Sequence, residues 1–337
     1  MDLLQVAFIG LRGINYWHYY PGILKSKKAK LVAGVDLAEE ARCNFSGKSG
    51  IPVYASLNEA LNNHKLDAVM IGTPNPVHLQ NIKEAADSGL HISVTKPLCN
   101  TVAESKEAID YCQNRNVFLQ VGHEYRFRPS IRKGIEIALS GEIGKITLIT
   151  AHMGSLAGLG HLTTQGAWRN KKENAPGGCL NLLGVHMLDV ANAVLGEPSF
   201  VSAALKKIVT ESELEDTVAV TVEYGEFGLA VVTSSYASSP SDSIHIFGTE
   251  KNLIITDTSL FVEENRDVRE VKELPVEGSA QIIIDQFATA VSGVYGDLDT
   301  PGEAGLLTVA MNEASIISAE NNSRRINIQQ IINGVKR

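Results

Sequence analysis

Four apolar runs in the first third of this 337-residue chain each stop at residues able to do chemistry. Residues 3–9 end at Gly10-Leu11-Arg12-Gly13-Ile14-Asn15, and residues 30–35 end at Asp36. Residues 68–72 run into Thr73-Pro74-Asn75-Pro76, and residues 91–94 into Thr95-Lys96-Pro97. A glycine-rich turn between a strand and a helix is the place for a dinucleotide. Its first glycine permits the tight turn, the second lets the backbone approach the pyrophosphate, and the third lets helix and strand pack closely. Gly10 fits the first role, while Arg12 stands where the second glycine is expected and Asn15 where the third is. An acid closing the next strand about 20 residues on accepts hydrogen bonds from both hydroxyls of the adenosine ribose. Asp36 is so placed. A carboxylate there repels a 2′-phosphate, so NAD is expected over NADP, although Arg12 offers a positive charge that keeps NADP open. The plainer alternative makes Asp36 only a polar strand end.

The elements that must position these residues follow from hydrophobic period. Residues 117–121 make a fifth strand, and residues 56–62, 77–88 and 102–114 carry apolar side chains at helical spacing. Strand and helix in strict alternation predict right-handed βαβ units and a parallel sheet, whose ligands sit at the carboxyl ends of the strands. The pattern changes after residue 122. A helix over 130–139 precedes runs of period two at 145–152, 217–224, 229–236, 243–247, 252–256 and 260–263. In 217–224 the residues Val218, Val220, Val222 and Tyr224 share one face, and Gly225–Gly228 makes a hairpin turn to the next run. Helices are expected at 183–195, 282–292 and about 302–319. The fold class is therefore α/β followed by α+β. A Rossmann dinucleotide-binding domain spans 1–122, and a domain with a large, mainly antiparallel open sheet covered by helices spans 123–337. With one face of that sheet strongly apolar and the other small and threonine-rich, helices are expected on one face and a second subunit on the other. That arrangement makes a homodimer or homotetramer.

Composition narrows the function classes. A chain 44% hydrophobic and 20% charged sits among ordinary globular proteins, which excludes a disordered or fibrous reading. A net charge of −8 argues against a nucleic-acid partner, which favours basic stripes. No apolar run approaches the length of a membrane span, and residues 1–9 lack the basic leader of a signal peptide. Cys43, Cys99, Cys112 and Cys179 form no CxxC pair and read as free thiols in a reducing cytoplasm, with no metal site expected.

Across nearly its whole length the chain resembles the Gfo/Idh/MocA oxidoreductases (glucose–fructose oxidoreductase, inositol dehydrogenase and rhizopine-catabolism proteins). Ile71-Gly72-Thr73-Pro74-Asn75-Pro76-Val77-His78 resembles the family loop that lies along the nicotinamide ribose. Ser88-Gly89-Leu90-His91-Ile92-Ser93-Val94-Thr95-Lys96-Pro97 is similar to its Gly-Lys-His…Glu-Lys-Pro signature. Tyr125-Arg126-Phe127-Arg128-Pro129 matches the stretch leading into the second domain. Gly177-Gly178-Cys179-Leu180 through Gly184-Val185-His186-Met187-Leu188-Asp189 resembles the helix that carries the catalytic histidine, and Phe247-Gly248-Thr249-Glu250 a late sheet turn.

The resemblance implies hydride transfer between a nicotinamide and a secondary alcohol of a sugar, inositol or related polyol. It makes Lys96 the cation that steadies the oxygen and relays a proton, and His186 the acid/base. Asp189, one helical turn on, orients the imidazole or fixes the helix. Gly10, Arg12, Gly13, Ile14, Asp36, Thr73, Pro74, Asn75, His78, Thr95 and Lys96 are the expected cofactor residues. Tyr125, Arg126, Trp168, Arg169 and His161 are candidates for the substrate pocket, and His91 is expected to pack. Three positions depart from the family: the glycine loop, Thr95 in place of Glu, and Leu182 in place of an Asp four residues before His186. Asn181, beside Leu182, is expected to point a quarter-turn away. Two further readings stay open, a non-catalytic dinucleotide-binding sensor or regulatory protein and a redox-assisted glycoside cleavage.

Overall fold

The computed structural model describes residues 3–156, 158–160, 168–293 and 298–334. They form two compact units, the first made of the described residues within 3–99, 104–127 and 277–306, the second of those within 100–103, 128–276 and 307–334.

The first unit is built on six parallel strands: β1 (Leu4–Ile9), β2 (Ala29–Val35), β3 (Val53–Tyr54), β4 (Ala68–Ile71), β5 (His91–Thr95) and β6 (Leu119–Gly122). Their order is β3-β2-β1-β4-β5-β6, the doubly wound arrangement in which the chain reverses direction across the sheet between β1 and β4. Side-chain alternation splits its core in two. Ala7 and Ile9 join one cluster with residues of α3 (Leu57–Asn63), α4 (His78–Asp87) and α5 (Val102–Gln113). Val6 and Phe8 join the other with residues of α1 (Tyr20–Ile23), α2 (Glu39–Ser49) and α8 (Ser279–Val291). A parallel sheet needs apolar cover on both faces. On the second face much of it comes from Ile282, Ile283, Ile284 and Phe287 of α8. That demand explains why residues 277–306, expected in the C-terminal domain, group with the first unit.

Two elements of this unit escaped the period argument. Strand β3 is two residues long and pairs only with the end of β2. Helix α2 buries just Ala41 and Phe45, so it has almost no apolar stripe; its signals are the acids Glu39 and Glu40 in its first turn and Gly50 at φ 69° just past its end.

The second unit holds a nine-stranded sheet of β7 (Ile146–Gly154), β8 (Phe200–Lys206), β9 (Thr217–Glu223), β10 (Leu229–Ser235), β11 (Ser241–Gly248), β12 (Asn252–Ile255), β13 (Leu260–Glu264), β14 (Asp267–Glu270) and β15 (Ile326–Asn327). The order is β14-β13-β12-β11-β7-β10-β9-β8-β15. It is not the simple meander that the sequence suggests, because β7 lies between β10 and β11 and pairs in parallel with β10. A parallel pair needs a crossover rather than a hairpin, and the chain between β7 and β10 includes helix α7 (Val185–Leu195). Helix α6 (Pro129–Leu139) packs on β12 and β13, and α7 on β7 and β10. The expected alternation holds in β9, where Val218, Val220 and Val222 are buried while Ala219 and Thr221 are exposed. Helix α9 (Gly302–Glu320), from residue 307 onward, and α10 (Ile328–Ile332) also belong to this unit. No helix among the described residues is long and apolar enough to cross a membrane.

Candidate active site

In the first unit the expected cofactor residues gather at the carboxyl ends of β1, β2, β4 and β5. Gly10 leaves β1 at φ 85°, and a Cβ there would come within 3.0 Å of the Gly72 carbonyl at the end of β4. Glycine is thus required by close approach as well as by backbone conformation. Gly13 also has positive φ, and Arg12 and Gly13 are exposed at the tip of the loop.

Asn15, in the place of the third glycine, is fully buried. Its Nδ2 donates to the carbonyls of Ile9 (3.1 Å), Gly10 (2.8 Å) and Met70 (3.3 Å), tying the ends of β1 and β4 together. A Cβ on Gly72 would lie 2.6 Å from the Asn15 amide carbon, so the missing glycine on the helix is matched by a glycine just past the end of β4. The loop keeps the close packing the motif needs by moving the small residue there.

Asp36 presents its carboxylate at the end of β2. Its Oδ2 accepts from the Leu11 amide and its Oδ1 from the Ala38 amide, each at 2.9 Å. A carboxylate has about four lone-pair sites, so two remain for a diol. Arg42 lies close by, but its Nη1 donates to the carbonyls of Asp36 (2.7 Å) and Leu37 (2.9 Å).

At β4 the Thr73 hydroxyl donates to Asn81 Oδ1 at 2.9 Å, and Pro74 is exposed. Asn75 is 6% exposed, and its buried Nδ2 has no partner among the described residues. A buried donor left open costs about 1–3 kcal/mol, a cost a bound acceptor would remove. The open Asn75 amide, the glycine approach at Gly10 and the Asp36 carboxylate together fit a dinucleotide. At β5, Thr95 is buried and Lys96 partly buried, and the Lys96–Pro97 peptide is cis. His78, expected beside the cofactor, is fully buried, with both ring nitrogens facing backbone carbonyls. His91 packs as expected, its ring against Phe118 and its Nδ1 accepting from the Phe118 amide at 3.0 Å. Tyr125 is buried, and Arg126 Nη1 donates to the Asp299 carbonyl at 3.0 Å.

In the second unit His186 and Asp189 lie on α7, both buried. The Asp189 charge helps burial to hold the Tyr224 phenol well above its ordinary pKa, and that hydroxyl donates to Asn192 Oδ1 at 2.8 Å. Trp168 and Arg169 form a pair of their own, the guanidinium carbon 4.4 Å from the indole centroid. Burial pushes Arg169 below the usual arginine range. His161 lies outside the described residues. Cys179 is buried against Ser234, and its thiol is pushed up to about 12 by burial, which makes it inert as a nucleophile.

Residues 4–123 match the model of an oxidoreductase family with an NAD-binding Rossmann fold, and residues 131–254 match the GFO/IDH/MocA C-terminal domain. The chain belongs to the Gfo/Idh/MocA oxidoreductase family. It is 28% identical to a scyllo-inositol 2-dehydrogenase (NAD(+)) of Bacillus subtilis, over 87% of this chain and 83% of that protein. It is 26% identical to a D-xylose 1-dehydrogenase (NADP(+)) of Haloferax volcanii, over 74% of this chain and 75% of that one. Among solved structures, a putative NADPH-dependent oxidoreductase from Desulfitobacterium hafniense superposes with a TM-score of 0.91 at 26% identity, covering 98% of this chain and 99% of its own.

Within this oxidoreductase the segment before His186 holds a feature the sequence hid. Leu180–Gly184 form a π-turn, closed by a bond from the Val185 amide to the Leu180 carbonyl five residues back. Gly184 allows it to lie against β10, since a Cβ there would come within 2.7 Å of Ser234 Oγ. The extra residue in the turn alters which side chains share a side with His186. Asn181, set aside on α-helical spacing, is 3% exposed.

Proposed function

We propose that this protein is an NAD(H)-preferring dehydrogenase or reductase acting on a secondary alcohol or ketone of a sugar, inositol or related polyol. The observation that supports this reading most is the set of groups at the strand ends of the first unit: Gly10, the Asp36 carboxylate, the open Asn75 donor and the Lys96 ammonium. The nicotinamide, when bound, supplies or accepts the hydride. Asp36 would accept hydrogen bonds from the adenosine ribose and disfavour a 2′-phosphate, and the backbone of Gly10–Ile14 would take the pyrophosphate. Lys96 would steady the alcohol oxygen as its proton leaves, and His186 would take or return that proton. Retention of both Lys96 and His186 favours an enzyme over a sensor of the same fold. The substrate relations named above for sugar and inositol dehydrogenases supply the substrate class.

A titration following nicotinamide fluorescence tests the cofactor half. NADH is expected to bind more tightly than NADPH, and Asp36→Ser to weaken NADH about tenfold, the worth of one hydrogen bond to a charged acceptor. If the wild-type protein binds neither cofactor, the enzyme reading is lost.

We also propose that the exposed face of the second sheet is covered by a second copy. One face is buried, whereas Ser202, Ala204, Ala219, Thr221, Val231 and Thr233 on the other are partly or fully exposed in the single chain. These are small and β-branched residues suited to face-to-face packing. Native mass measurement is expected to give a dimer or tetramer, and Val231→Glu to shift it toward the monomer. A monomeric wild-type mass would overturn the assignment.

A further inference from the structure

His78 opens α4 and has no exposed surface. Its Nε2 lies 3.0 Å from the Thr73 carbonyl, at the end of β4. Its Nδ1 lies 3.0 Å from the Pro97 carbonyl and 3.1 Å from the Leu98 carbonyl, one and two residues beyond Lys96. The imidazole therefore spans two strand-end loops separate in sequence, one leading to Asn75 and the other carrying Lys96. Carbonyls only accept, so the neutral ring completes its contact on one side by donating its single N–H, and only the protonated ring completes both. Burial outweighs the three carbonyls and the nearby charge of Glu104, so the imidazole is held below its ordinary range, toward the neutral form.

We propose, resting on the function assigned above, that His78 is a positioning residue. It braces the backbone just after Lys96 against the Thr73 carbonyl and so fixes the Lys96 ammonium relative to the loop bearing Asn75. It is too buried to touch a substrate, and Asp36, on the end of β2, is not among its contacts. Loss of the brace should therefore disturb hydride transfer far more than adenosine binding. A misplacement of about 1 Å at a reacting group costs about 100-fold in rate.

The test compares wild type with His78→Phe, which fills the space without donors, and His78→Gln, which restores one donor. In His78→Phe, kcat is expected to fall about 30–100-fold while the NADH Kd stays within about threefold, and His78→Gln should recover part of the loss. An unchanged kcat, or a Kd rising in step with the fall in kcat, would overturn the proposal. Hydrogen–deuterium exchange of peptides covering residues 73–78 and 95–99 gives a second readout that needs no turnover. Exchange should be faster in His78→Gln, though by less than in His78→Phe, and protection unchanged in both peptides would overturn the brace even if His78→Phe fails to fold. Should wild type bind no cofactor, the functional reading fails, while the exchange result still decides whether the brace exists.

Discussion

Replacing Lys96 with Met is expected to lower kcat about a thousandfold while leaving the NADH Kd within about threefold of wild type, as removal of one preorganised charge from a developing oxyanion does elsewhere. The ammonium stands at the carboxyl end of β5, partly buried, with Thr95, Pro97 and Leu98 buried around it. Partial burial raises the effect of an ammonium on a neighbouring oxygen, because low dielectric strengthens the interaction. Methionine keeps most of the apolar stem and removes only the charge, so lost packing does not confuse the result. Lys96→Arg is expected to recover little. A planar guanidinium spreads its charge over a fork and fills a different shape, so it cannot replace a compact donor at one point. Stopped-flow transfer on the best substrate from a screen of polyols and aldoses reads the effect. Equal and negligible rates in wild type and Lys96→Met, with NADH still bound, would instead support a dinucleotide sensor.

The strand ends that carry this chemistry were legible because buried parallel strands read as continuous apolar runs, broken by Gly10, Asp36, Thr73 and Thr95 where the sheet stops. What stayed hidden depends on contacts that no local pattern records. The return of Ser279–Val291 to the first unit answers an uncovered sheet face far earlier in the chain, at Val6, Phe8, Leu31 and Met70, a demand visible only when the sheet is assembled. Strand β7 between β10 and β11 is likewise a matter of topology, since its own period-two pattern fits either neighbour. Among site residues, Asn15 looked like a defect in the glycine loop, and only the paired absence of a side chain at Gly72 explains it. His78 reads as a cofactor residue until its burial is known. The π-turn before His186 is hidden for a similar reason: its signal is one residue more than an α-turn holds, with Gly184 at the contact with Ser234.

That turn bears on the second large effect, expected at His186. His186→Gln should lower kcat/KM for alcohol oxidation about 100- to 10,000-fold, the range for loss of a positioned general base. The sign of the pH dependence follows from the role. A base must be neutral to accept the alcohol proton, so wild-type oxidation should rise with pH through the imidazole titration and then level off. His186→Gln should lose that rising limb; in the reductive direction the limb is inverted, because the protonated form donates. A limb that survives in His186→Gln would move the titrating role to another group. Asn181 then decides how the imidazole is helped. In an uninterrupted α-helix, residues five apart are separated by about 140° around the axis. Absorbing one extra residue into the turn takes back about 100°, which swings Asn181 toward the side of His186 and leaves it about 40° away. Its amide is buried, on the turn that packs against β7 and β10, and it brings a donor and an acceptor without a charge. An amide can hold a hydroxyl or the imidazole in place but cannot take a proton at neutral pH. Asn181→Leu should therefore cost less than His186→Gln, lowering kcat/KM about tenfold through one lost hydrogen bond while leaving the pH limb where it was.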